Sequence, residues 1–163
     1  MNANFKEVCK KKMKPLIILI IVSTISLFTI KIINGEYDFV LSARIAMSAM
    51  LLFTALGHFL FPSGLILMVP ELIPFKKEMV YFTAIIEILG AVGLHITQLK
   101  VLTSWLLILF FILILPANIK AAINHLDYQK ATYNGNGLMY LWFRIPLQIL
   151  FIVWVYISSI QYK

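Results

Sequence analysis

Cysteine is nearly absent from this chain. Cys9 is the only one, so no intramolecular disulfide, CxxC redox pair or cysteine metal cluster can be assembled. Redox electrons would have to come through a bound cofactor or a partner. The basic, juxtamembrane setting of Cys9 permits a reversible lipid modification, but an inert free thiol is the simpler reading. Acidic residues are scarce as well, 7 against 14 lysines and arginines. His58, His95 and His125 are scattered and lack His-x-x-x-His spacing, so no metal constellation forms. A Gly-rich phosphate loop, a nucleophile elbow and a CxxCH haem site are missing too. No Ser/Gly-rich linker or internal repeat divides the chain, which reads as one compact unit. Apolar residues run consecutively instead of alternating, which excludes a membrane β-barrel.

What the chain has in excess is apolar mass. Hydrophobic residues make up 61% of it and mean hydropathy is +0.92. Soluble domains are about 45–50% apolar, so lipid is the expected solvent. Five segments are long enough to cross a bilayer: about Leu16–Ile33, Phe39–Phe61, Met79–Thr97, Val101–Ala122 and Leu138–Ile160. Backbone polar groups cannot go unpaired in lipid, so each crossing must be a helix. The expected class is an all-α integral membrane protein. Residues 1–15 form a basic tail, 16–33 a first transmembrane helix, and 39–160 the membrane core. A cleaved signal peptide competes for the first segment, but the apolar stretch is long and no Ala-x-Ala site follows it.

The links carry orientation. Lys6, Lys10, Lys11, Lys12 and Lys14 precede the first helix, which makes them a membrane-flanking anchor and not a nucleic-acid surface. With five crossings, Lys76, Lys77, Lys120 and Lys130 fall on the same side, and Lys31, Lys100 and Lys163 on the other. The positive-inside tendency then predicts a cytoplasmic N-terminus in a multi-pass protein of a bacterial-type plasma membrane. Pro62, Pro70 and Pro74 bracket a short apolar stretch, read as an interfacial or re-entrant piece. The segment from Asn124 to Gly137 is polar and ends in an exposed Asn-Gly-Asn-Gly turn.

Six polar residues are stranded inside apolar segments: Arg44, His58, Glu87, Asn118, Arg144 and Gln148. A charged side chain at the bilayer centre costs roughly 2.5–3.5 kcal/mol on insertion scales, so these are expected to face the bundle interior. Arg44, Ser48, Leu51, Ala55 and His58 share one helical face, as do Thr83, Glu87, Gly90 and Leu94. Gly90, Ala91 and Gly93 invite close approach of a neighbouring helix. The spacing predicts an interior Arg–Glu–Arg cluster of Arg44, Glu87 and Arg144. Two roles stand open for it. It could fix helix register, or it could bind a polar head or quinone carbonyl with Glu87 carrying a proton. His58, near a helix end, is expected to be an interfacial hydrogen bonder.

Five local patterns in order resemble the DoxX-like family of small bacterial membrane proteins. They are Gly57-His58-Phe59 followed by Pro62, Met68-Val69-Pro70-Glu71-Leu72-Ile73-Pro74, Glu87-Ile88-Leu89-Gly90-Ala91-Val92-Gly93-Leu94, Pro116-Ala117-Asn118-Ile119, and Arg144-Ile145-Pro146-Leu147-Gln148. The resemblance implies a DoxX-like four-helix bundle, here preceded by one additional N-terminal transmembrane helix. It also implies an accessory membrane subunit, with a quinone as the candidate cofactor and a redox-type protein as the candidate partner. The expected function is therefore a subunit that binds a quinone-like or lipid-like molecule and supports a redox or envelope-stress partner. The alternatives are a membrane enzyme of lipid metabolism with a carboxyl proton donor, and a small exporter working as an oligomer.

Overall fold

The computed structural model describes residues 13–135 and 137–161. Cys9, Lys163 and most of the basic tail lie outside the described residues. Six α-helices follow one another: α1 (Lys14–Asn34), α2 (Phe39–Leu60), α3 (Pro62–Met68), α4 (Lys76–Gly93), α5 (Lys100–Ile123) and α6 (Leu138–Tyr156). A π-helical turn, Ile157–Gln161, ends the described residues.

Local chemistry sets the boundaries. Pro15 sits in the first turn of α1, where its missing N–H costs nothing. Gly35, at φ 80°, ends α1 in the left-handed conformation and donates its N–H to the Lys31 carbonyl. Asp38 caps α2 by accepting the Leu41 N–H at 2.8 Å. Pro62 then stops α2 and starts α3, a helix of seven residues. The proline-bracketed link thus contains a short helix, as its sequence suggests. Lys120 reaches from α5 to the Val69 carbonyl at 2.8 Å and so caps the end of α3.

Side-chain pairings show that the long helices alternate in direction. Ser48 of α2 meets Ala91 and His95 at the far end of α4, while His58 meets Thr83 and Glu87. Gly90 and Gly93 of α4 abut Leu107 and Thr103 of α5. Asn118 of α5 meets Gln148 of α6, and Trp154 of α6 returns to the Ala43 carbonyl of α2. A core of Leu19, Met47, Met50, Leu51, Leu94, Leu107, Phe111, Leu147, Phe151 and Val155 fills the centre. A smaller cluster of Met68, Ala121 and Leu126 lies under the links at one end.

The outer surface is apolar. Ile32, Trp142 and Leu113 are 83%, 86% and 66% exposed, and α1 buries only Leu19, Ser26 and Ile30. Water-soluble monomers rarely expose apolar patches beyond a few hundred Å². Among the described residues, four helices are long and apolar enough to cross a membrane: α1, α2, α5, and α6 with its π-helical turn. This is an all-α, multi-pass membrane protein.

The third apolar segment departs from expectation. It was expected to run to about Thr97, yet α4 ends at Gly93 and the chain turns back over residues 94–99. A Cβ at Gly93 would lie 2.5 Å from Thr103 Oγ1, so α5 packs directly on the end of α4. Eighteen residues rise about 27 Å, slightly short of a hydrocarbon core of about 30 Å. Lys76, Lys77, Glu78 and Glu87 also make α4 less apolar than its neighbours. The link from Asn124 to Gly137 is likewise less open than expected. Leu126 and Gly137 are buried, and Asp127 pairs with Thr132 in an isolated bridge.

Candidate functional site in the helix bundle

The structure sorts the six stranded polar residues into separate groups. The first is His58 with Glu87. Glu87 is 5% exposed on the α4 face toward α2, and its Oε2 lies 3.3 Å from His58 Nε2. That contact meets an ion-pair distance without hydrogen-bond alignment, so Glu87 Oε2 has no hydrogen-bond partner.

Thr83 decides the state of the ring. Its Oγ1 contacts the Val80 carbonyl at 2.8 Å and His58 Nδ1 at 3.2 Å. A carbonyl only accepts, so the single hydroxyl proton goes to Val80, the shorter contact. The oxygen then accepts from His58, which places a hydrogen on Nδ1. Nε2 is left facing Glu87 Oε2. The 3.3 Å contact pairs the imidazole with a buried carboxyl across the α2–α4 interface. His58 and Glu87 thus form a polar dyad on two helices, with Thr83 holding the ring.

The second group joins α5 to α6. Gln148 accepts from Asn118 Nδ2 at 3.3 Å and donates to the Phe111 carbonyl. Asn118 Oδ1 accepts the Tyr140 hydroxyl at 3.1 Å, and Asn118 Nδ2 also donates to Ile114. Pro116 lies within this stretch of α5 and has no N–H, so it weakens the local helical ladder. The side-chain bonds tie that stretch to α6. Asn118 and Gln148 are 1% and 7% exposed, as interhelical polar links in lipid should be.

The two arginines stay apart. Among the described residues no ion pair reaches Arg44 or Arg144, and the Nε of each is buried without a hydrogen-bond partner. The expected Arg–Glu–Arg cluster is therefore corrected to a His–Glu pair. The reason is distance along α2. Arg44 precedes His58 by fourteen residues, a rise of about 21 Å, and so sits at the opposite end of the helix from the Glu87 contact. Arg144 lies nearly two turns into α6, close enough to Tyr128 to act on it.

Groups in the links respond to these arginines. Partial desolvation lowers the His95 pKa below its usual 6.5, and the Arg44 charge lowers it further. His95 also meets Ser48 at 3.0 Å, with Ser48 donating to the Ala91 carbonyl at 2.9 Å. The ring therefore donates from Nε2. Burial raises the Tyr128 pKa and Tyr140 adds to this, while Arg144 acts in the opposite direction.

Sequence reasoning placed Thr83 and Glu87 on one face, and His58 and Ser48 on the facing one. It did not pair them, and it missed His95 and Tyr140 as partners. For His95 a signal existed: it follows Ala91 by one helical turn, opposite Ser48. For Tyr140 there was none. Among the described residues no group of three metal-ligating side chains converges.

One family matches residues 47–159 and is described as a domain of unknown function, DUF8561. The match covers well over half of the sequence. The chain belongs to this family. The matched stretch begins inside α2 and ends in the π-helical turn of this DUF8561 member. It takes in His58, Glu87, Asn118, Arg144 and Gln148, and leaves out α1 and Arg44. No curated protein and no solved structure matches the chain.

Proposed function

We propose that this protein is a plasma-membrane accessory subunit whose His58–Glu87 pair binds the polar head of a quinone-like molecule, in support of a redox or envelope-stress partner. One observation carries the reading: the 3.3 Å contact between His58 Nε2 and a Glu87 oxygen that is buried and lacks a hydrogen-bond partner. A proton held there suits a carbonyl oxygen, which accepts but never donates. The His58 side chain is 15% exposed, so the pair can be approached from its side. A quinone bound at this point would supply the electron-accepting ring. The chain's own residues would orient it and hold the proton: Thr83 fixes the imidazole, and Glu87 stabilises its second proton. The DoxX-like resemblance, carried by the same His58 and Glu87 motifs, favours an accessory role.

The alternating helices put Lys14, Lys76, Lys77, Lys120 and Lys130 at one end of the bundle, and Lys31 and Lys100 at the other. We assign the lysine-rich end to the cytoplasm.

The test is quinone extracted from protein purified in mild detergent from its native membrane. Wild type should carry quinone, and Glu87→Gln and His58→Gln should each lose about tenfold, the equivalent of one good hydrogen bond to a charged group. Circular dichroism confirms that both variants keep their helices. Well-folded variants with undiminished quinone, or a wild type that carries none, would leave the pair as a register-fixing contact between α2 and α4.

A further inference from the structure

A cleft of about 960 Å³ opens where the end of α1, the α1–α2 link, the start of α2 and the end of α6 meet. It lies away from the His58–Glu87 pair, at the opposite end of α2. Its volume falls near the top of the roughly 300–1,000 Å³ usual for ligand sites. Val40, Ala43, Leu150, Val153 and Trp154 form an apolar floor. The Trp154 indole donates to the Ala43 carbonyl at 2.9 Å, which fixes the ring as one wall. Asn34, Glu36 and Asp38 stand at the mouth. Helix ends lie at the lipid–water interface, so the mouth sits at head-group depth and the floor at acyl depth.

Charge selects the occupant. Among the described residues neither Glu36 nor Asp38 has an ion-pair partner. Lys31 is held beside the mouth, 2.7 Å from the Tyr37 hydroxyl and 4.2 Å above its ring. Glu36 and Asp38, the latter with one oxygen on the Leu41 N–H, stand beside one anchored ammonium and complement a head group that carries both an ammonium and a phosphate. An anionic lipid would meet two like charges and one opposite charge. We propose that the cleft seats a zwitterionic aminophospholipid, its ammonium at Glu36 and Asp38, its phosphate toward Lys31, and an acyl chain along Leu150, Val153 and Trp154.

The experiment is native mass spectrometry of the full chain in nanodiscs containing equal phosphatidylethanolamine and phosphatidylglycerol. Wild type should retain phosphatidylethanolamine in preference. The Glu36→Gln/Asp38→Asn variant should lose that preference about tenfold, since a charge-assisted hydrogen bond is removed. Asparagine caps a helix as well as aspartate does, so α2 keeps its start. Glu36→Gln alone, in an exposed link, gives the same readout if the double variant folds poorly. Ala43→Leu fills the floor and should abolish retention of both lipids. Equal retention of the two lipids by wild type overturns the proposal, and so does unchanged selectivity in Glu36→Gln and in the double variant.

Discussion

If His58 and Glu87 share a proton, their energies are coupled, and a double-mutant cycle measures by how much. The perturbations are His58→Leu, Glu87→Leu and both together. At 3.3 Å and an effective dielectric constant of about 20, an imidazolium and a carboxylate attract by about 5 kcal/mol. Desolvation of the two groups offsets much of this. The net is expected near the value of a charged hydrogen bond, about 1.5–3 kcal/mol. An ordinary neutral hydrogen bond between transmembrane helices averages only about 0.6 kcal/mol. The two cases are therefore separable. Reversible unfolding in bicelles, followed by steric trapping, gives the free energies of wild type and the three variants. The double variant should be more stable than the sum of the singles implies, because each single change strands a buried polar partner. Thr83→Val should reduce the coupling, since Nδ1 loses the acceptor that fixes the ring. A coupling energy indistinguishable from zero would refute the dyad. A value near 0.6 kcal/mol would reduce it to a neutral contact.

Two further outcomes follow from the geometry. A Cβ at Gly64 would lie 1.7 Å from the Tyr128 carbonyl oxygen, whereas one at Gly90 would lie 2.6 Å from the Leu107 Cδ2. Backbone cannot step aside as a leucine tip can. Gly64→Ala should thus cost at least the roughly 1–3 kcal/mol of overpacking, and Gly90→Ala less. Thermal unfolding in detergent ranks them, and a reversed order would contradict the packing. The second outcome concerns pH. His95 has a lowered folded-state pKa, so between that value and 6.5 the unfolded chain binds more protons than the folded one. Stability is complete above pH 6.5 and falls as pH drops below it. His95→Gln should flatten that acid limb and Arg44→Gln should shallow it, both read from melting temperature against pH. An unchanged slope in His95→Gln would show that the limb belongs to other groups.

Much of the architecture was legible in residue order alone, because lipid imposes one rule on every segment. Backbone groups must pair locally, so long apolar runs become helices, and Gly35, Asp38 and Pro62 mark where they end and begin. The same rule picked out Glu87, Asn118 and Gln148, which are buried, since polar groups inside apolar helices must face protein. Periodicity also put Ser48 and His58 on one face of α2. Partner choice was not legible. It depends on how far α4 slides along α2, a register seen where Ser48 meets Ala91 and His95. This register brings Glu87 to His58 and leaves the arginines at opposite ends of the bundle. The cleft at the start of α2 is also a product of tertiary structure. Its walls join the α1–α2 corner to the end of α6, more than a hundred residues away, and no local pattern encodes the space between them.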